Sequence, residues 1–204
     1  MKAFSIGLAV LFVATAGLVS SAQARPFDFS ATLSGPNESQ HNASLGTGTA
    51  LVTFDLAANT MRVQVAFSGL SGTVTASHIH CCTTLPLTGT AGVATTTPTF
   101  TGFPSGVTSG IYDHTFDMLA ATSYNPAFIS GSFDPTHDTA GAELALYNAM
   151  WLGETYLNIH STVVPGGEIR GFLTFVPEPI TLSLFGAGLA GTIAMRRRKR
   201  AKLA

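Results

Sequence analysis

From residue 61 to residue 67 the side chains alternate, Met61, Val63, Val65 and Phe67 falling between Arg62, Gln64 and Ala66. Successive side chains of a strand point to opposite faces, so this is the pattern of a strand with one face in a core and the other toward water. Such a strand needs neighbours, and the chain supplies them. A run over 46–55 precedes it, with Leu56, Ala57, Ala58 and Asn59 as the turn between the two, which predicts a hairpin. Residues 27–33, 74–80, 111–117 (leading into 118–124), 155–162 and 168–175 read as further strands, and Val164, Pro165, Gly166 and Gly167 as the turn joining the last two. One stretch departs from this period. Over 137–153, Leu144, Tyr147 and Trp151 recur at helical spacing behind Asp138 or Thr139 as N-cap. Residues 81–110, rich in Thr, Pro and Gly, form a loop long enough to signal either function or poor order. Short strands separated by turn signals predict an all-β fold, an antiparallel sandwich or barrel with one helical insertion.

Only the middle of the chain is available to that fold. Lys2 precedes an apolar run over 3–19, and Ala22, Gln23 and Ala24 form the small-x-small pattern of a signal peptide cut between Ala24 and Arg25. At the other end Pro177, Glu178 and Pro179 precede an apolar run over 180–195, followed by Arg196, Arg197, Arg198, Lys199, Arg200 and Lys202. That run is slightly shorter than the ~20 residues that span a bilayer core, but flanking Arg and Lys snorkel to the cytoplasmic interface, and it reads as a membrane segment. A Pro-Glu-Pro hinge, an apolar segment and a short basic tail resemble the PEP-CTERM sorting signal of bacterial envelope proteins. The resemblance implies membrane anchoring through 180–195, an exosortase-type sorting protease as partner, and a product at the cell surface or outside the cell. The chain divides accordingly into a signal peptide (1–24), a β-domain (25–175) and a sorting segment (176–204).

Setting the ends aside changes the charge balance. Of ten basic residues only Arg25, Arg62 and Arg170 remain, against ten of the eleven acids. An acidic domain without lysine excludes a nucleic-acid partner, whose phosphates demand clustered Lys and Arg. Cations, metals and neutral glycans stay compatible.

Four segments then recur in a recognisable order. They are Phe29-Ser30-Ala31-Thr32-Leu33-Ser34-Gly35, Ala76-Ser77-His78-Ile79-His80, Tyr156-Leu157-Asn158-Ile159-His160-Ser161 and Pro165-Gly166-Gly167-Glu168-Ile169-Arg170-Gly171. Their order and intervals resemble the CHRD domain, named for chordin and widespread in bacterial exported proteins, over residues 27–175. The resemblance implies an immunoglobulin-like barrel or sandwich. The resemblance fixes the fold far better than the chemistry; together with the sorting signal it leads to the expectation of a non-enzymatic binding or structural module of a bacterial envelope or biofilm matrix, with extracellular polysaccharide or envelope proteins as partners. The chain departs from the commoner pattern after His80, where Cys81 and Cys82 stand in place of a Gly-Pro loop.

Period 2 also sets the candidate chemistry. His78 and His80 share one strand face, Asn158 and His160 share another, and Ile79 and Ile159 turn inward. Two imidazoles about 7 Å apart along a strand, joined by a third from a second strand, could chelate copper or zinc, with His114 as a further candidate ligand, and the rival function is then a metal-dependent redox protein. A His-x-His element also serves copper in the all-β copper/zinc superoxide dismutases, but that enzyme's other ligands have no counterpart here, so dismutase activity is not expected. The other reading is structural: the histidines bond across neighbouring strands and lock their register. Both place 74–80 beside 155–162, with His78 or His80 near His160.

Cys81 and Cys82 have three outcomes, a vicinal disulfide, a thiolate site with His80, or pairing between chains. Glu168 and Arg170 share a face and pair with each other or with a neighbour, a weakly stabilising contact where such pairs lie at the surface, and Arg170 is expected to anchor a carbonyl cluster or a carboxylate at the barrel end, while Gly166 and Gly167 free the turn before them. Nucleophilic catalysis finds no support, since Ser77 and His78, like His160 and Ser161, face opposite ways. Asn37-Glu38-Ser39 matches the N-glycosylation triplet, which carries no such meaning in a bacterial protein.

Overall fold

The computed structural model describes residues 25–131, 136–177 and 188. The signal peptide through Ala24, Glu178 and Pro179 of the sorting motif, and the membrane segment lie outside the described residues, apart from Gly188. The architecture is mostly β: one curled antiparallel sheet forming a half-barrel, with two short helices. Its strands are β1 (Phe27–Ser34), β2 (Thr47–Asp55), β3 (Thr60–Ser68), β4 (Val74–His80), β5 (Gly110–Asp117), β6 (Tyr156–Ser161), β7 (Ile169–Phe172) and β8 (Thr174–Phe175). They lie in the order β4-β6-β7-β1-β2-β3-β5, with β8 also against β1.

The expected hairpin between β2 and β3 is present, with Asp55 opposite Thr60 at its turn. Met61, Val63, Val65 and Phe67 are buried, as their period required. The closing hairpin is present too, β6 against β7 with Ile159 opposite Ile169. The expected last strand is interrupted, however: it leaves β6 after Phe172, Leu173 bonds back to Thr155, and β8 joins β1. Of the expected sandwich or barrel, the structure has an open form of the second, a single curled sheet rather than two facing ones, in which β1 pairs with β2 along its whole length and meets β7 and β8 on its other edge.

Helix α1 (Pro126–Ile129), not expected from the sequence, is capped by Asn125, whose side chain accepts from the Ala127 N–H. Helix α2 (Thr139–Leu152) starts at Asp138, which accepts from the Gly141 N–H at 2.8 Å, and ends at Gly153 in the left-handed conformation. Its buried apolar face is Ala142, Leu146, Ala149 and Met150, not the Leu144, Tyr147 and Trp151 stripe that spacing singled out. Residues 118–124 form a turn and a short 3-10 segment, Ala121–Ser123.

The long loop is ordered by a definite task. It runs along β4, which is an edge of the sheet, and the N–H groups of Ala94 and Phe100 donate to the carbonyls of Ile79 and Ser77. An open edge is thereby covered. Phe100 and Phe103 from the same loop enter the core beside Tyr112 and Phe116.

Candidate functional site

Strand register assembles the site in rows. His78 lies opposite Asn158, and Asn158 opposite Arg170; His80 lies opposite Tyr156, and Ala76 opposite His160. Residues directly opposite one another share a face, so the face that carries His78 and His80 also carries His160, Asn158, Tyr156 and Arg170. On the other face Ile79, Leu157, Ile159 and Ile169 are fully buried in the core. Both faces of this corner are covered, since Asn158, His78 and Arg170 are also buried.

One ring nitrogen from each of His78, His80 and His160 lies within 4.8 Å of the others. Each ring is also tied to a loop carbonyl, which can only accept. His78 Nε2 donates to Pro98 at 2.5 Å, His80 Nδ1 to Ala91 at 2.9 Å and His160 Nδ1 to Pro165 at 2.8 Å. This fixes the tautomers and leaves the opposite nitrogens with lone pairs. His78 Nδ1 and His160 Nε2 are buried with no hydrogen-bond partner. His80 Nε2 stands 3.1 Å from the side-chain oxygen of Asn158, and a half-turn of that amide would present a donor to it.

Burial pushes the His78 pKa down to about 4, against the Pro98 hydrogen bond and helped by the neighbouring imidazoles. His80 is lowered as well, by burial first and by charge on His160. Near neutral pH these two rings are uncharged, the form in which imidazole binds a metal. A ring N–H held by a backbone carbonyl is also the support that metal-bound histidines use to set their orientation.

His114 is not among these residues. It stands on β5, at the far end of the strand order from β4, against the rings of Tyr112 and Phe116. Cys81 and Cys82 are joined as a vicinal disulfide, and Cys81 packs in the hydrophobic core, so no thiolate reaches His80. Between the triad's strands the polar contact is that of His80 Nε2 with the side chain of Asn158, a hydrogen bond once the amide presents its NH2 to the ring, while the three imidazoles touch one another as rings and not as hydrogen-bond partners.

Glu168 and Arg170 do not pair with each other, and neither is on the surface. Glu168, wholly buried, accepts from the hydroxyls of Ser44 and Ser71 and from the N–H groups of Ser71 and Gly72. Arg170 donates to the carbonyls of Asn37 and Gly89 and packs over the rings of Tyr156 and Phe172. The guanidinium thus pins two loops to β7.

Sequence reasoning missed Glu38, whose carboxylate lies 3.6 Å from Arg170 and is almost fully buried. Burial raises its pKa to about 7 even against the pull of Arg170. Its Oε1 has no hydrogen-bond partner. Glu38, His80, Tyr156, Asn158 and Arg170 line a cavity of about 640 Å³ that borders the triad.

Gly167 is what lets the 164–167 turn close on this corner. Its φ is +127°, and a Cβ there would stand 2.6 Å from Glu38 Oε1 and 2.9 Å from Asn158 Nδ2. Gly166, by contrast, faces open space. Gly167→Ala is therefore expected to cost about 2 kcal/mol in urea unfolding, through strain at that φ and the displaced carboxylate, whereas Gly166→Ala stays within about 0.5 kcal/mol. Equal effects of the two substitutions would contradict this account of the turn.

The chain matches the model of the CHRD domain over residues 29–173 and that of the PEP-CTERM protein-sorting motif over 175–199. No curated protein and no solved structure matches it.

Proposed function

Taking as premise that the chain belongs to the CHRD-domain family, we propose that this exported, exosortase-sorted surface protein is a metal-binding module holding one copper or zinc ion on His78, His80 and His160. The carrying observation is the pair of buried, unpartnered lone pairs on His78 Nδ1 and His160 Nε2, beside a third ring held by its own loop carbonyl. Leaving such atoms unpaired in a protein interior is costly, on the order of 1–3 kcal/mol each. A cation accepting both removes that cost. Neutral nitrogen donors without a carboxylate suit copper and zinc, and not calcium or magnesium, which take oxygen.

Three protein ligands leave room for a further one, and the cavity beside His80 gives it access. The reading stops at binding, and no reaction is assigned to the site.

The test is metal content. Purified protein, loaded with zinc or copper and dialysed, is expected to retain close to one equivalent, and His80→Ala and His78→Ala to retain less than about a fifth of that while keeping the wild-type circular dichroism. Failure of folded wild-type protein to hold either ion would leave the triad as a tie between β4, β6 and their loops, and would end the metal reading.

A further inference from the structure

Helix α2 is apolar on almost every side, with Glu143 and Asn148 the main exceptions between Thr139 and Leu152. A helix of that composition calls for apolar material all round it. Its inner face has this in Ala142, Leu146, Ala149 and Met150. The adjacent stripe does not. Leu144 is 52% exposed and Trp151 39%, and Leu152 beside them is 58% exposed. Trp151 packs edge-on to Phe27 at 5.1 Å and against Phe175 at 4.3 Å between ring centroids, and Phe175 is itself 36% exposed. Trp151 and Phe175 thus make an aromatic surface at the end of the domain where the chain leaves it, and Leu144 and Leu152 extend it along the helix on either side of exposed Asn148, which stands on the same face.

We propose that this surface rests in the headgroup layer of the bilayer for as long as the sorting tail is attached. The occupant follows from chain length. The Val176 N–H donates to the Asp28 carbonyl at 2.8 Å, so the exit point is fixed beside Phe27 and Phe175. The apolar run at 180–195 begins four residues later, a link that reaches at most about 14 Å when fully extended. A patch tethered so close to lipid meets it at high effective concentration, so even a weak affinity keeps it docked. Tryptophan is also a residue that favours the headgroup level.

Charge attraction is not the cause, because the domain has three arginines against ten acids. Docking is apolar, directed to zwitterionic lipid and insensitive to salt. Once the tail is cut, the tether is lost and the same patch releases. The inference rests on the tail as a membrane segment and is independent of the metal reading.

Trp151 is the only tryptophan in the chain, so its emission reports on this surface alone. The full chain is reconstituted in phosphatidylcholine vesicles whose acyl chains are brominated near the headgroup, and flotation verifies insertion. Trp151 emission is expected to fall at least twofold relative to unbrominated vesicles, equally in 0.05 and 0.5 M salt, and by clearly less in a Leu144→Asp, Leu152→Asp variant.

Unquenched emission in floated protein overturns the proposal. If that emission then depends on protein density, a second copy covers the patch. If it is shielded from acrylamide only while the tail is present, the tail itself does. Failure to float overturns the membrane reading of the tail and the docking together.

Discussion

Glu168→Gln is expected to remove about 3 kcal/mol of the domain's stability at pH 7. The carboxylate is wholly buried, and burial alone would raise its pKa. Hydrogen bonds from Ser161, Ser44 and Ser71 outweigh that and hold it at about 2, against an ordinary value of 4.5. Each unit of such a difference is worth about 1.4 kcal/mol. The folded pKa is depressed, so the stabilisation is complete above the unfolded value of 4.5 and is lost as pH falls from there toward 2. A neutral amide keeps the shape but turns an N–H toward donors that need an acceptor, and it has no acid-dependent stability to lose. Urea unfolding at pH 7, 5 and 3 separates the cases. If the variant lies within 1 kcal/mol of wild type at pH 7, or shows the same acid loss, Glu168 is not the tie described. Several kcal/mol is a large share of the stability of an ordinary domain, which gives the Gly-Gly-Glu-Ile-Arg segment a structural reason to carry an acid.

Most of the sheet was legible because its signals are local. Alternation at 61–67 marks β3, Ile79 and Ile159 each lie between two polar residues that face the other way, and Asp138 announces α2 as its cap. The neighbourhood of β4 and β6, some eighty positions apart, followed from pairing two histidine motifs. What could not be read depends on contacts that no local pattern encodes. Glu38 looks like any acid in a polar loop until Arg170, far along the chain, draws that loop onto β7 through Asn37. The curl of the sheet arises where β1 meets both β7 and β8 on one edge, a break of register at Leu173 without a sequence signature. The face of α2 was misread for a different reason. An almost wholly apolar helix has no polar side to orient it, and spacing alone picks any of several stripes. His114 shares its residue type with the triad and nothing else, since metal sites are decided by register and not by composition.

Glu38→Gln should act in the opposite sense, stabilising the domain by up to about 3 kcal/mol above pH 7. Burial raises the folded pKa of Glu38 to about 7, and the attraction of Arg170 only partly offsets it. Below the ordinary value of 4.5 the group is protonated in both folded and unfolded chains and makes no difference between them. Between 4.5 and 7 the unfolded chain ionises first, so stability falls as pH rises, by about 1.4 kcal/mol per unit of displacement. Above 7 the loss is complete. Glutamine cannot ionise and keeps nearly the same volume, so the variant should show a flat profile over this range while retaining the acid loss that belongs to Glu168. A domain carrying both groups is therefore most stable near pH 4.5, where neither penalty applies. Unfolding free energies for wild type and variant at half-unit steps from pH 4 to 8.5 decide the matter. A wild-type curve that is flat from 5 to 8, or a variant that falls in parallel with it, would show that the Glu38 carboxyl is hydrated in solution and that the loop from Pro36 to Asn42 does not close over Arg170 as the structure has it.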